Sequence, residues 1–101
     1  MKHIEIPAHT FKTHFEQSDN AVLIDVREEY EHEDENLGGR NIPMGEVLSK
    51  VDELTHFSHI YLYCKSGKRS KAIAYNLAKE LDRSSIYSCQ GGIQACKEDA
   101  T

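Results

Sequence analysis

Hydrophobic positions along the chain follow two periods. Ala21-Val22-Leu23-Ile24-Asp25-Val26 is an apolar run broken by a single acid near its end, which predicts a strand buried on both faces. Ile60-Tyr61-Leu62-Tyr63-Cys64 is β-branched and aromatic and predicts another strand. Farther on, Ile73, Leu77 and Leu81 recur four apart. Ala74 and Ala78 widen that stripe, while Lys71, Asn76, Lys79, Glu80 and Asp82 fall on other faces, the pattern of an amphipathic helix. Weaker signals complete the alternation. Ile4 and Ile6 predict a short first strand ending at Pro7, and residues 8–17 a helix with Phe11 and Phe15 on one face. Asn20 marks a turn. The segment after Val26 predicts a short exposed helix broken by Leu37-Gly38-Gly39. Pro43 and Gly45 bound a segment with Val47, Val51 and Leu54 at helical spacing. Ile86-Tyr87 predicts a last strand, followed by Gly91-Gly92 and a terminal helical turn. Strands alternating with helices imply an α/β domain over residues 1–101 with a mainly parallel sheet.

Composition narrows the function classes. A chain of 101 residues suits one domain with one core. Seventeen acidic against twelve basic residues give a formal charge of −5, which argues against a general nucleic-acid binder and against a polybasic membrane-surface protein. No apolar segment resembles a signal peptide or approaches the ~20 residues of a membrane span, so a cytoplasmic location is expected. The acids concentrate between Glu28 and Glu35, where six of eight residues are acidic: a solvated face, or a docking surface for a basic partner. Cys64, Cys89 and Cys96 are odd in number and contain no CxxC pair, which suggests neither a disulfide framework nor a zinc site. The histidines are scattered, and neither metal nor cofactor is expected.

One segment carries chemistry. Cys64 ends a predicted strand, and ligands in open α/β sheets bind beyond the carboxyl ends of strands. The polar loop Lys65-Ser66-Gly67-Lys68-Arg69-Ser70 leads into the helix, whose N-terminus presents unpaired N–H groups and partial positive charge. Gly67 permits backbone angles other residues resist, so successive N–H groups can turn inward as an anion nest. Lys65, Lys68, Arg69 and Lys71 add positive charge. These features favour thiolate over thiol and make Cys64 a candidate nucleophile within an anion-binding loop.

Leu23-Ile24-Asp25-Val26-Arg27-Glu28 with Glu31, then Asn41-Ile42-Pro43, then Tyr63-Cys64-Lys65-Ser66-Gly67-Lys68-Arg69-Ser70, then Gly91-Gly92-Ile93 together resemble the rhodanese family, in the family's order and across nearly the whole chain. The resemblance implies a three-layer α/β fold: a central, mostly parallel five-stranded sheet with helices on both faces. It implies a sulfurtransferase in which Cys64 accepts a sulfane sulfur from a small anionic donor such as thiosulfate, becomes a persulfide, and passes the sulfur to a thiol or cyanide-like acceptor. The other reading is a persulfide carrier that delivers sulfur to a partner protein with little small-molecule turnover. The expected protein is a monomer. The six residues from Cys64 to Arg69 match the rhodanese loop. The related phosphatase branch resembles Cys-x5-Arg, one residue longer, and this tighter ring of N–H groups suits the outer sulfur of a persulfide better than a phosphate. By the same resemblance Asp25 and Arg27 lie beside the loop, where two readings stand open: Asp25 accepting loop N–H or Ser hydrogen bonds with Arg27 paired to Glu31, or a purely structural ion pair at the strand end, the reading preferred for Arg27. Lys65 and Lys68 are expected at the mouth, and Arg69 either faces the site or clamps the loop against an acid.

Two departures stand out. Asn36-Leu37-Gly38-Gly39-Arg40 occupies the place where the family often has His-Ile-Pro-Gly-Ala. After Gly91-Gly92-Ile93 the family usually places a Trp, and here Gln94-Ala95 lead to Cys96. Cys89 and Cys96 are therefore expected as packed thiols, Cys96 filling the Trp site, with a sulfur-relay or resolving role as the alternative.

Overall fold

The alternating pattern resolves into six short helices and five strands in a computed structural model, which describes residues 3–99. The expected domain of residues 1–101 includes residues 1–2 and 100–101, which lie outside the described residues. The strands are β1 (His3–Pro7), β2 (Ala21–Asp25), β3 (Arg40–Asn41), β4 (His59–Tyr63) and β5 (Ser85–Gln90). They form one sheet in the order β1-β5-β4-β2-β3, and every pairing is parallel. The helices are α1 (Ala8–Glu16), α2 (Glu29–Asp34), α3 (Met44–Val47), α4 (Val51–Leu54), α5 (Lys68–Glu80) and α6 (Gly92–Asp99), with a 3-10 turn (Leu48–Lys50) between α3 and α4.

Side chains of a strand alternate between faces, and that alternation sorts the core into two halves. Ile60, Leu62 and Cys64 point to one side with Val22, Ile24, Val26 and Ile86. There they meet Ile73, Ala74, Leu77, Ala78 and Leu81 of α5 and its end, Val47 of α3 and Leu54 of α4. Tyr61 and Tyr63 point to the other side with Leu23, Tyr87 and Cys89, against Phe11 of α1 and Ile93 of α6. The sheet is thus covered on both faces, which is what a continuous apolar strand requires. Burial of the Ile73/Leu77 stripe anchors α5 under the end of β4, and this fixes the site.

The structure differs from the sequence expectation in four places. The two-residue β3 lies where the hydrophobic pattern placed no strand, since Arg40 and Asn41 are both polar. Helix α5 begins at Lys68, inside the segment expected as a loop, because Gly67 in the left-handed region (φ 98°) caps it early. β5 runs on to Gln90, its Ser88 and Cys89 fully buried without giving an apolar pattern. The terminal turn is an eight-residue helix, α6. No helix among the described residues is long and apolar enough to cross a membrane.

Candidate active site

β4 ends at Tyr63, and Cys64 follows at the carboxyl edge of the sheet in the middle of the strand order. Its side chain is almost fully buried. The backbone N–H of Gly67 donates to Sγ at 3.1 Å and that of Ser70 at 3.3 Å, both groups belonging to the start of α5. The Cys64 thiol lies 3.6 Å from Ser70 Oγ as a hydrogen-bond donor. Ser70 Oγ is also 2.9 Å from Ser88 Oγ and donates to the Gly67 carbonyl at 3.3 Å. Backbone donors and a helix N-terminus therefore converge on one sulfur, where charge gathering on sulfur would meet fixed dipoles.

The loop is held from outside by the first turn of α6. Ile93 N–H donates to the Cys64 carbonyl at 2.8 Å and Gln94 N–H to the Lys65 carbonyl at 3.1 Å. Such bonds require the α6 backbone to lie directly on the loop, and Gly92 makes that possible. Its φ is +64°, and a Cβ there would overlap the carbonyls of Cys64 and Lys65.

Asp25 and Arg27 sit beside this loop but do not bond to it. Asp25 is fully buried. Its carboxylate accepts from Arg27 Nη2 at 2.8 Å, Arg27 Nε at 3.0 Å and the Arg27 N–H at 2.9 Å, and lies 2.9 Å from His32 Nδ1. Of the two readings of this strand end, the structure shows the ion pair between Asp25 and Arg27, with no bond from Asp25 to the loop or from Arg27 to Glu31 among the described residues. Alternating side chains put Asp25 and Arg27 on the same side of an extended segment, so the nearer partner wins. Glu31 instead takes Arg69 in a two-pronged pair, Nη1–Oε1 2.9 Å and Nη2–Oε2 3.1 Å. The Arg69 guanidinium holds the Glu31 carboxyl down at about 2. Of the two expectations for Arg69, the clamp is the one observed, and the acidic helix α2 supplies its partner.

The basic residues are not gathered at one mouth. Lys65 lines a cleft of about 470 Å³ with Arg27, Tyr30, Glu31, Glu35 and Lys97. Lys68 lines a separate groove with His3, Lys71 and Tyr75, and Lys71 reaches Glu5 at 3.5 Å. Ser66 is exposed. The structure thus brings Cys64, Gly67 and Ser70 into contact, turns Arg69 to Glu31, and spreads the lysines. Ser88 was not anticipated, since a lone serine in a strand gives no signal. His32 was hidden in the acidic stretch.

Comparison with known proteins bears on the family and the fold. The family model of the Rhodanese-like domain matches residues 7–99. Among curated proteins of Bacillus subtilis (strain 168), YrkF, named as a proposed sulfur carrier protein, is 35% identical over 77 residues, covering 75% of this chain and 42% of that protein. YqhL, an uncharacterized protein, is 39% identical over 75 residues, covering 73% of this chain and 59% of that protein. The chain thus spans only about half the length of these curated relatives. The crystal structure of a rhodanese-related protein from Thermoplasma volcanium superposes with a TM-score of 0.78 at 26% identity, covering 94% of this chain and 91% of that one.

Proposed function

The chain belongs to the rhodanese-like domain family, and from that premise we propose that it is a sulfurtransferase whose Cys64 carries the transferred sulfur. Cys64 thiolate attacks the sulfane sulfur of a donor such as thiosulfate. The donor S–S bond breaks, its electron pair leaves with sulfite, and a persulfide remains on Cys64. An acceptor thiolate or cyanide then attacks the outer sulfur, and the new S–S bond breaks to return the Cys64 thiolate. The single observation that supports this reading is the pair of N–H groups, from Gly67 and Ser70, aimed at Sγ. Fixed donors there would stabilise charge on sulfur before attack and after release. Lys65, in the cleft beside the loop, would attract an anionic donor.

A carrier that hands sulfur to a partner protein is the second reading, favoured by the name of YrkF at 35% identity. Both readings require the same first step. Incubation with thiosulfate should add one sulfur atom to the intact mass, on the peptide bearing Cys64, and Cys64→Ser should take up none. Uptake by that variant would overturn the assignment. Fast single-turnover uptake with slow thiosulfate–cyanide turnover would select the carrier.

A further inference from the structure

The two remaining cysteines lie together. Cys89 is on β5 and Cys96 on α6, and their sulfurs are 3.9 Å apart. Cys89 is fully buried, while Cys96 is partly exposed and lies 3.6 Å from the Ala8 carbonyl. A disulfide needs the sulfurs at about 2 Å, so an approach of about 2 Å along the existing contact closes the bond. Between the two cysteines lie the Gly91-Gly92 turn and then Ile93 and Gln94, whose N–H groups bond to the Cys64 and Lys65 carbonyls.

We propose that Cys89 and Cys96 are a redox-modifiable pair, closed by a hydroperoxide into an intramolecular disulfide that shifts α6 and so loosens its hold on the Cys64 loop. Cys96, the exposed member, reacts first. Its thiolate attacks one peroxide oxygen, the O–O bond breaks, and hydroxide leaves as water with the thiol proton, giving a sulfenic acid on Cys96. The Cys89 sulfur then attacks the Cys96 sulfur, the S–O bond breaks, and a second water departs with the Cys89 proton. Two thiols and one hydrogen peroxide become one disulfide and two waters. Burial pushes the Cys89 thiol up, which keeps it protonated and leaves the first oxidation to Cys96. Because α6 also packs on α1 and its first turn bonds the loop, drawing Cys96 towards β5 strains Ile93 and Gln94 against Cys64 and Lys65.

The bond itself is independent of the sulfurtransferase reading, whereas its effect on the loop rests on that reading. Trypsin places both cysteines in one peptide, residues 84–97, and Cys64 in another, residues 51–65. After stoichiometric hydrogen peroxide and alkylation, the 84–97 peptide should be two hydrogens lighter and unalkylated, and a reductant should restore both alkylations. Cys96→Ser should abolish this and Cys64→Ser should retain it. A sulfinic acid on Cys96 beside an alkylated Cys89, or a cross-link to Cys64, would overturn the pair. Oxidised wild type should then take up sulfur from thiosulfate several-fold more slowly than Cys96→Ser treated alike, and reductant should restore it. Equal rates with the disulfide formed would overturn the coupling. Failure of untreated protein to take up sulfur would instead count against the function of Cys64 and leave the peptide result standing.

Discussion

The ends of β2 and β4 are neighbours, Asp25 in register with Tyr63, yet each secures its reactive group by a different kind of partner. Asp25 is met mainly by side chains, the guanidinium of Arg27 and the ring of His32, with one main-chain N–H from Arg27. Cys64 is met by the main-chain N–H groups of Gly67 and Ser70. The Arg27 guanidinium neutralises the buried acid, and the His32 ring occupies a further place on its carboxylate. Backbone dipoles carry no net charge and cannot swing away, so they retain the capacity to hold a new anion. The first arrangement suits a structural tie at this edge, and the second suits the reaction proposed for Cys64.

The largest effect expected is complete loss of thiosulfate-dependent sulfur uptake in Cys64→Ser, read by intact mass, with the fold unchanged by circular dichroism. Next, Arg27→Ala leaves a buried acid without its cation and should lower unfolding free energy by about 3–5 kcal/mol in urea titration. A loss near zero would break the contrast, since it would mean that the pair at β2 does not hold the fold. Gly92→Ala drives a methyl into the Cys64 and Lys65 carbonyls at a positive φ and should cost about 1–3 kcal/mol. It should slow sulfur uptake more than its stability loss explains. The smallest effect is at Glu31→Gln, which cuts the tie between α2 and Arg69 and should cost about 1 kcal/mol, given that the pair is partly exposed. Its pH signature is definite. The Glu31 carboxyl sits at about 2 in the folded protein against 4.5 ordinarily, so its contribution is fully present above 4.5 and is lost as pH falls towards 2. Acid titration of wild type against Glu31→Gln should converge over that window.

What the sequence disclosed and what it hid follow from the range of the interactions. β2, β4 and α5 were legible because their apolar periods are local and long. The Cys64 loop was legible because its donors come from the next six residues. The clamp joins Glu31 to Arg69 across 38 positions, and no local pattern reports such a contact. The strand-end ion pair of Arg27 was legible as one of two readings, because Asp25 two residues away shares its side of the chain. Ser88, which completes the hydrogen bonding of Ser70, is a polar residue buried in a strand, and pattern alone would place it at the surface.

Exposure at Cys64 is 1%, whereas Cys96 is partly open to solvent. Steric reach thus ranks the thiols in the reverse of their proposed importance. Bulky maleimide or iodoacetamide probes will tag Cys96 ahead of Cys64, and a proteome-wide labelling survey built on such probes would score Cys64 as inert. Only a slim electrophile, of the size of a sulfane sulfur, meets it on equal terms.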